Sequence, residues 1–383
     1  MKITFINGGM SVSETFIYQL IKGITSSIPN TKFLTATEPF YKDGIQYSII
    51  PFLYKPSKFK NTLIPYLGQK GKKYTWLQQQ KLSSRFLLPK INETDIVFID
   101  YGTTAVSILP SLIKLSKPFI VHFHGFDITS SLSDNFYKDQ LQIVFKKASY
   151  LVAASHHIKR LLILAGASEE KVKVIRLGVN NLIALKDPWK ARLESNIKNI
   201  VFIGRLTPKK NPIALIHAFK LVQQTLPETT LQIVGDGSLL SDCKSLVIKL
   251  GLQEFIHFHG SLPNDQAMQL LVDAWLYAQH SVTAPSGDQE GFAISLAEAA
   301  LYELPVVSTF HNGIPENVID GETGYLVKEF DFEAMAERII ELLNHPEKCE
   351  RMGKKGCEHI TQLCDPQKRI DQVMHLFESI ANE

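Results

Sequence analysis

The sequence predicts an α/β protein made of two Rossmann-like domains in tandem. Apolar runs of strand length alternate with segments of helical period, the pattern of a doubly wound parallel sheet. That pattern stops near the middle of the 383 residues and then restarts. The length agrees, because one hydrophobic core rarely serves more than about 250–300 residues.

In the first half, Lys2–Ile6 reads as a strand followed by a helix over Ser13–Ser26. Ile96–Ile99 precedes a helix over Thr103–Leu115, Phe119–Phe123 follows, and Tyr150–Ala153 leads into Ser155–Ala165. In the second half, strands are expected at Ile200–Ile203, Thr230–Val234, Phe255–Phe258 and Val306–Thr309. The helices between them are Pro212–Thr225, Ser238–Leu250, Asn264–Ala274 and Phe292–Glu303. Residues 178–198 lack periodicity and carry turn residues, so the hinge is expected there. The expected domains are 1–180 and 196–364, with a last helix over 365–383 packing back on the first domain.

Composition excludes several classes. Hydrophobic residues at 45% and charged residues at 21% describe a globular chain, not a disordered or fibrous one. No apolar run approaches the roughly 20 residues that span a bilayer. Met1–Ile6 reads as a strand and not a signal peptide, which predicts a cytoplasmic protein. The cysteines, Cys243, Cys349, Cys357 and Cys364, form no Cys-x-x-Cys, and the His-x-His pairs lack thiolate partners. Reduced thiols and no metal site are expected.

The net charge of +3 hides an asymmetry, +13 over residues 1–190 against −10 over residues 191–383. From Gly44 to Asn92 there is no acidic residue, while lysines and Arg85 alternate with Tyr54, Phe59, Tyr66, Tyr74, Trp76 and Phe86. Residues 44–92 therefore suit an anionic membrane surface or an anionic acceptor. A solvated basic face would have the same composition, as would a nucleic-acid patch.

Ligands of open α/β sheets bind where strand ends meet helix N-termini, because exposed N–H groups and the helix dipole favour anions there. After the first strand, Asn7-Gly8-Gly9 permits close backbone approach, and Ser13 can cap the helix. There is no Gly-x-Gly-x-x-Gly and no P-loop, so dehydrogenase and kinase readings lack support. His122-Phe123-His124-Gly125-Phe126-Asp127 closes the strand from Phe119. Alternation puts both histidines on one face, with His124 at the strand end and Asp127 as a helix cap. A histidine there is as readily a core residue as a ligand-binding one.

In the second half, Gly204-Arg205 ends a strand and Lys210 precedes a helix, two cations that suit a diphosphate. Gly235-Asp236-Gly237 and His259-Gly260-Ser261 end the next two strands on the same rim. His257 and His259 alternate with phenylalanines and read as structural, leaving the backbone at His259-Gly260 to meet a base. The stretch Glu290-Gly291-Phe292-Ala293-Ile294 leads to Glu298, eight residues beyond Glu290. N–H groups of Gly291 to Ile294 can hold a phosphate, and Glu298, two turns in, can accept hydrogen bonds from ribose hydroxyls. Two glutamates near a helix start are also ordinary, since carboxylates favour that dipole end.

With these residues in order, the chain resembles the retaining family-4 glycosyltransferases of the GT-B fold. Gly204-Arg205-Leu206 with Lys210, Gly235-Asp236-Gly237, His259-Gly260 and Glu290-x7-Glu298 carry the resemblance, which Gly313-Ile314-Pro315-Glu316 and Gly321-x-x-Gly324 complete. Ser13-Glu14-Thr15 and His124-Gly125-Phe126-Asp127 are similar to the colanic-acid and amylovoran subgroup of exopolysaccharide enzymes. Asn211 and Asn180 depart from the family's glycine and aspartate.

The resemblance implies two domains facing across a cleft, a nucleotide-diphosphate sugar donor (a UDP-sugar by family frequency), a glycan or lipid-linked acceptor, and no metal or other cofactor. It assigns Arg205 and Lys210 to the diphosphate, Glu298 to the ribose, Glu290 to the donor sugar, and His124 to the sugar near the reacting carbon. Gly9, Gly204, Gly235, Gly237, His259, Gly260, Gly291, Phe292, Ala293 and Ile294 would line the donor. A glycan phosphorylase, a sugar-nucleotide epimerase or a non-catalytic binding protein on the same fold remain alternatives.

Overall fold

The computed structural model describes residues 1–9, 14–39, 41, 43–50, 64–180, 183, 187–195 and 197–382. Ser13, part of the basic stretch 44–92 and part of the expected hinge lie outside these residues. The chain divides into two compact units, Met1–Gly178 with Pro366–Glu383, and Val179–Asp365.

Unit 1 holds one parallel sheet of β1 (Ile3–Asn7), β2 (Lys32–Thr35), β3 (Tyr47–Ile49), β4 (Ile96–Asp100), β5 (Phe119–Phe123), β6 (Tyr150–Ala153) and β7 (Val172–Val174). The order is β3-β2-β1-β4-β5-β6-β7. β1, β4 and β5 are buried at every residue, which is why each reads as an unbroken apolar run. The helices are α1 (Thr15–Ser27), α2 (Gly68–Ile91), α3 (Gly102–Leu115), α4 (Asn135–Lys147) and α5 (His156–Leu164). Strand order reverses between β1 and β4, and in such sheets the crevice opens at that point.

Unit 2 repeats the plan with α6 (Pro188–Glu194), β8 (Lys198–Ile203), α7 (Pro212–Thr225), β9 (Thr229–Val234), α8 (Leu240–Leu250), β10 (Ile256–Gly260), α9 (Asn264–Val272) and β11 (Ala274–Ala278). It continues through α10 (Ile294–Leu301), β12 (Val306–Thr309), α11 (Ile314–Asn317), β13 (Gly324–Val327), α12 (Phe332–Asn344) and α13 (Pro346–Leu363). The order is β10-β9-β8-β11-β12-β13, reversing between β8 and β11. The last helix, α14 (Pro366–Ala381), belongs to unit 1. Its Phe377 ring lies 6.4 Å from Phe5 and 6.1 Å from Phe98, and its Arg369 donates to the Phe16 carbonyl at 2.6 Å.

Several elements differ from the sequence expectation. α2 is a 24-residue helix in a stretch that offers no apolar stripe. Its buried positions include Gly71, Gln80 and Ser83, and it docks on α3 through Gln80 Nε2 to the Val106 carbonyl (3.0 Å) and Ser83 Oγ to the Ser107 carbonyl (2.9 Å). Polar contacts stand where periodicity looks for leucine. Residues 188–194 of the expected linker form α6, with Trp189 and Arg192 buried. The Arg192 guanidinium donates to the carbonyls of Leu271 (3.2 Å), Val272 (3.2 Å), Tyr302 (2.8 Å) and Glu303 (3.4 Å), closing the C-terminal ends of α9 and α10.

Candidate active site

The rim of unit 2 is built by backbone packing. Gly204 N–H donates to the Val234 carbonyl at 2.9 Å, and Gly235 N–H donates to the Gly260 carbonyl at 2.8 Å, so three strand ends finish level. Gly235 has φ 134°, and a Cβ there would stand 2.0 Å from the Gly204 carbonyl oxygen. A Cβ on Gly237 would likewise meet the Leu206 carbonyl at 2.4 Å. These glycines are dictated by loop-on-loop contact within the protein, whatever the ligand.

At the β8/β11 switch point, Lys210 and Glu290 form an ion pair of 3.0 Å with side chains 12% and 7% exposed. Lys210 Nζ also donates to Gln279 Oε1 at 3.2 Å. Burial alone would raise the Glu290 pKa, yet Lys210, Lys209 and His311 hold it down at about 2. Lys209 pairs with Asp288 at 3.2 Å, while Arg205 is exposed on the same loop and its charge is felt at Lys210. Asn211 occupies the left-handed region at φ 41° and caps α7, its side chain accepting from Ala214 N–H at 3.3 Å. Asparagine tolerates that backbone, which explains its use where the family places glycine.

The Glu290 loop is held from outside. Glu290 N–H donates to His311 Nε2 at 3.2 Å, and His311 Nδ1 lies 2.6 Å from Glu329 Oε1. His311 Nε2 is thus an acceptor and Nδ1 the protonated nitrogen. Asn317 Nδ2 donates to the carbonyls of Phe292 and, at 3.3 Å, Ala293. A Cβ on Gly313 would stand 2.1 Å from the Gly291 carbonyl oxygen. The Gly313–Asn317 segment is therefore a buttress for this loop. Gly291, Phe292 and Ala293 are buried, and Ala293 sits at φ 56°. That left-handed residue delays the helix to Ile294, two residues later than the spacing suggests.

Glu298 lies half-buried on α10, and burial raises its carboxyl to about 7 against the opposing hydrogen bond with Asn264 and the charge of Lys210. Beneath it, Tyr277 Oη is 2.9 Å from Ser295 Oγ, 3.1 Å from Gln279 Oε1 and 2.9 Å from the Ile203 carbonyl, a buried polar cluster under Lys210. His259 stands apart from this group. It lies on the edge strand β10, where its Nε2 meets Gln232 Oε1 at 2.8 Å on the sheet face. Gly260, at φ 68°, is the part of that pair at the rim.

Unit 1 has its own cluster. His124 Nε2 lies 3.1 Å from Asp100 Oδ1, and the His122 and His124 ring centroids are 4.1 Å apart. Burial lowers the His122 pKa well below its ordinary value, with the charges of His124 and Arg369 acting in the same direction. Asp100, His122 and His124 offer three ligand atoms within 4.8 Å of one another, the one such metal-competent group among the described residues. The buried Arg369 guanidinium already interacts with Asp100 and opposes an added cation. Asp127 does not cap its own short helix. Its carboxylate accepts from the N–H groups of His124 (3.2 Å), Gly125 (2.9 Å) and Gly102 (3.0 Å), tying the loop after β5 to the start of α3. Gly9 follows β1 and donates its N–H to Asn7 Oδ1 at 2.7 Å.

The sequence thus brings Lys210, Glu290 and Glu298 into one neighbourhood of unit 2, beside the Gly204, Gly235, Gly237 and Gly260 rim. It places Gly9 and His124 in unit 1. It does not reveal Gln279, Tyr277, Ser295, His311 and Asn317, whose roles arise from burial and partners that spacing does not report.

Comparison with known proteins agrees with this architecture. A family model described as Glycosyl transferases group 1 matches residues 185–359, and one described as Glycosyltransferase Family 4 matches residues 42–181. WcaL of Escherichia coli, named for colanic acid biosynthesis as a glycosyltransferase, is 32% identical over 57% of this chain and 53% of its own, so the match spans about half of that protein. The amylovoran biosynthesis glycosyltransferase AmsK of Erwinia amylovora is 28% identical over 77% of this chain and 71% of its own. Among solved structures, Anabaena HepE in complex with UDP and glucose superposes with TM-score 0.78 at 21% identity, over 99% of this chain and 100% of that one. Sucrose-phosphate synthase from Thermosynechococcus elongatus gives 0.80 at 16%, over the full length of both chains. With its two halves matched in turn by the paired models and its two Rossmann-like sheets in GT-B order, the chain belongs to the group 1, family 4 glycosyltransferases.

Proposed function

We propose that the chain is a retaining, metal-independent glycosyltransferase that moves a sugar from a nucleotide-diphosphate donor to a glycan or lipid-linked acceptor in bacterial surface polysaccharide synthesis. The observation that carries this is the buried Lys210–Glu290 pair beside Glu298, on a strand-end rim with Arg205 exposed. Lys210 and Arg205 bind the diphosphate. As the glycosidic bond breaks, charge builds on the departing phosphate, and fixed cations stabilise it without reorganisation. Glu298 accepts from the ribose hydroxyls, and Glu290 from the donor sugar, its carboxylate kept ionised by Lys210. The backbone at Gly9, Gly204, Gly235, Gly237, Gly260 and Gly291 to Ile294 lines the donor, and the family resemblance assigns His124 to the sugar near the reacting carbon. Attack on the same face as the departing phosphate gives retention.

A UDP-sugar is favoured because HepE, similar over the whole chain, holds UDP. The exopolysaccharide role rests on WcaL and AmsK. Nucleotide release from a panel of UDP-, GDP- and ADP-sugars, with EDTA present and with or without lipid-linked extracts, tests the reading. Release from one donor with a transferred product supports it. Failure to bind any donor overturns it.

No described helix is long and apolar enough to cross a membrane. We further propose that the protein works in the cytoplasm, peripheral to the membrane through residues 44–92. Exposed Tyr66 and Leu67 adjoin exposed Lys70, Lys72 and Lys73 at the start of α2, a mixture suited to anionic headgroups. Co-sedimentation with phosphatidylglycerol vesicles, lost in high salt and absent with phosphatidylcholine, is the expected result.

A further inference from the structure

Residues 279–293, between β11 and α10, contain no regular secondary structure, and folded domains seldom keep so long a connection without a use. Its last part, Gly291–Ala293, rests on Gly313 and Asn317. Its middle, Thr283–Glu290, has a different anchor. Glu329 lies in the turn after β13 and serves both ends of that stretch. Its Oε2 accepts from Thr283 N–H at 3.0 Å, and its Oε1 accepts from His311 Nδ1–H at 2.6 Å. His311, whose side chain is fully buried, carries the contact onward, because its Nε2 accepts from Glu290 N–H at 3.2 Å. Between these ends the stretch closes on itself, Ala284 N–H donating to the Asp288 carbonyl at 3.0 Å and Gly287 N–H to the Ala284 carbonyl at 2.8 Å.

Only one imidazole tautomer allows this arrangement. Glu290 N–H and the Asn312 side-chain amide, 2.9 Å away, both face Nε2 and both are donors, so Nε2 carries the lone pair and the proton sits on Nδ1. The hydrogen bond at the other ring nitrogen selects the tautomer, and Glu329 supplies it. With the proton on Nε2 instead, two N–H groups would point at each other and displace the Glu290 peptide. The turn that aims Glu329 is itself strained, since Phe330 sits at φ 68°, a backbone that an aromatic residue rarely adopts. Such strain persists where the surroundings over-determine one arrangement.

We infer that Glu329 is a positioning residue for the donor sugar, acting through His311 to clamp the loop that presents the Glu290 carboxylate. The step from Glu290 to the sugar rests on the transferase reading, whereas the clamp does not. Because Gly291–Ala293 is buttressed separately, a free nucleoside diphosphate should bind with or without Glu329, and only the contribution of the sugar should depend on it.

The full chain carrying Glu329→Ala or Glu329→Gln tests this. Glutamine keeps one acceptor oxygen, enough for His311 Nδ1–H or Thr283 N–H but not for both. Nitrogen-15 labelling of histidine with long-range proton–nitrogen NMR reads the tautomer, and the His311 signals are those that vanish in His311→Gln. The wild type should show a protonated Nδ1. Glu329→Ala should show a protonated or exchanging Nε2, with faster hydrogen exchange over residues 283–290. Calorimetry compares UDP, GDP and ADP with their sugar conjugates. For the conjugate that the wild type binds, Glu329→Ala should lower affinity and turnover by about tenfold each, and Glu329→Gln by less. Affinity for the free diphosphate should stay within about twofold. Should Glu329→Ala fail to fold, Glu329→Gln carries the same comparisons. The inference is overturned if the tautomer and the exchange of residues 283–290 are unchanged, if conjugate binding and turnover keep their wild-type values, or if conjugate and free diphosphate weaken by the same factor. A changed tautomer in a protein whose wild type binds no conjugate would instead sink the transferase reading and leave the clamp standing.

Discussion

Replacing Lys210 by methionine removes the counter-charge of a buried carboxylate. Glu290 falls from an ordinary 4.5 to about 2 in the folded protein, which corresponds to about 3 kcal/mol favouring its charged form. Lys210 is the first of the groups that oppose the burial penalty, so its loss exposes most of that penalty. The expected cost near neutral pH is at most about 3 kcal/mol, because burial also lowers the Lys210 pKa and removing that charge gives back its own desolvation penalty. In a domain the size of unit 2 this lowers the melting midpoint by at most about 6–12 °C. The folded pKa is depressed, so this stability is present above about 4.5 and disappears as pH falls toward about 2. The gap between wild type and Lys210→Met should therefore narrow across that window. Trp189 and Trp275 both lie in the unit 2 core, so the fluorescence change from unit 2 can be followed on the full chain, with calorimetry as the second probe. Adding Glu290→Gln should recover most of the loss, because both charges then leave together. A single variant that melts with the wild type at neutral pH, or a double variant no more stable than the single, would refute the reasoning. Turnover assays of Lys210 variants need this fold measurement beside them.

Three further outcomes are expected. Glu298→Gln should raise the melting midpoint at mildly alkaline pH, because a carboxyl pushed up to about 7 binds more protons folded than unfolded and loses stability as pH rises from about 4.5 to 7. The same variant should weaken donor binding and remove its dependence on pH near 7, read by calorimetry. Gly235→Ala should cost more than about 3 kcal/mol or prevent folding of unit 2, since its Cβ would lie 2.0 Å from a carbonyl oxygen at φ 134°, and urea melts would show it. Asn317→Ala should leave the Phe292 and Ala293 carbonyls unmet at a cost of about 1–3 kcal/mol, and hydrogen exchange over residues 288–294 should quicken as turnover falls.

The alternation of strands and helices was legible because β1, β4 and β5 are buried on both faces and leave continuous apolar runs, whereas β11, equally buried, follows a helix so closely that the expected helix runs into its first residue. The short edge strands were not, since β3 is only half-buried or exposed at its three residues and carries no such run. α2 escaped because its buried positions are Gly71, Gln80 and Ser83 along most of its length, with Leu87 and Ile91 only near its end. For the site, spacing paired Glu290 with Glu298 and Arg205 with Lys210, and the family resemblance joined Lys210 to the two glutamates. Spacing could not identify the parts that hold them, because Gln279, His311 and Asn317 look like ordinary polar residues until their buried partners are known. The same limit moved the helix start at Ala293, where close packing of the Gly291 loop on Gly313 decides the backbone. Arg205 and His259 were legible as residues of the rim, yet one is exposed and the other is turned onto the sheet face.

Arg192 bears on how such chains can be cut and recombined. Its four carbonyl acceptors all lie in unit 2, far along the sequence from a stretch that reads as a linker. A unit 2 excised or grafted from Lys198 onward would leave the ends of α9 and α10 without their cap and open the place of Trp189 against Trp275 to water. The seam for exchanging halves between family members therefore runs before Pro188, and chimeras joined on its other side should fold poorly whatever donor or acceptor they were meant to combine.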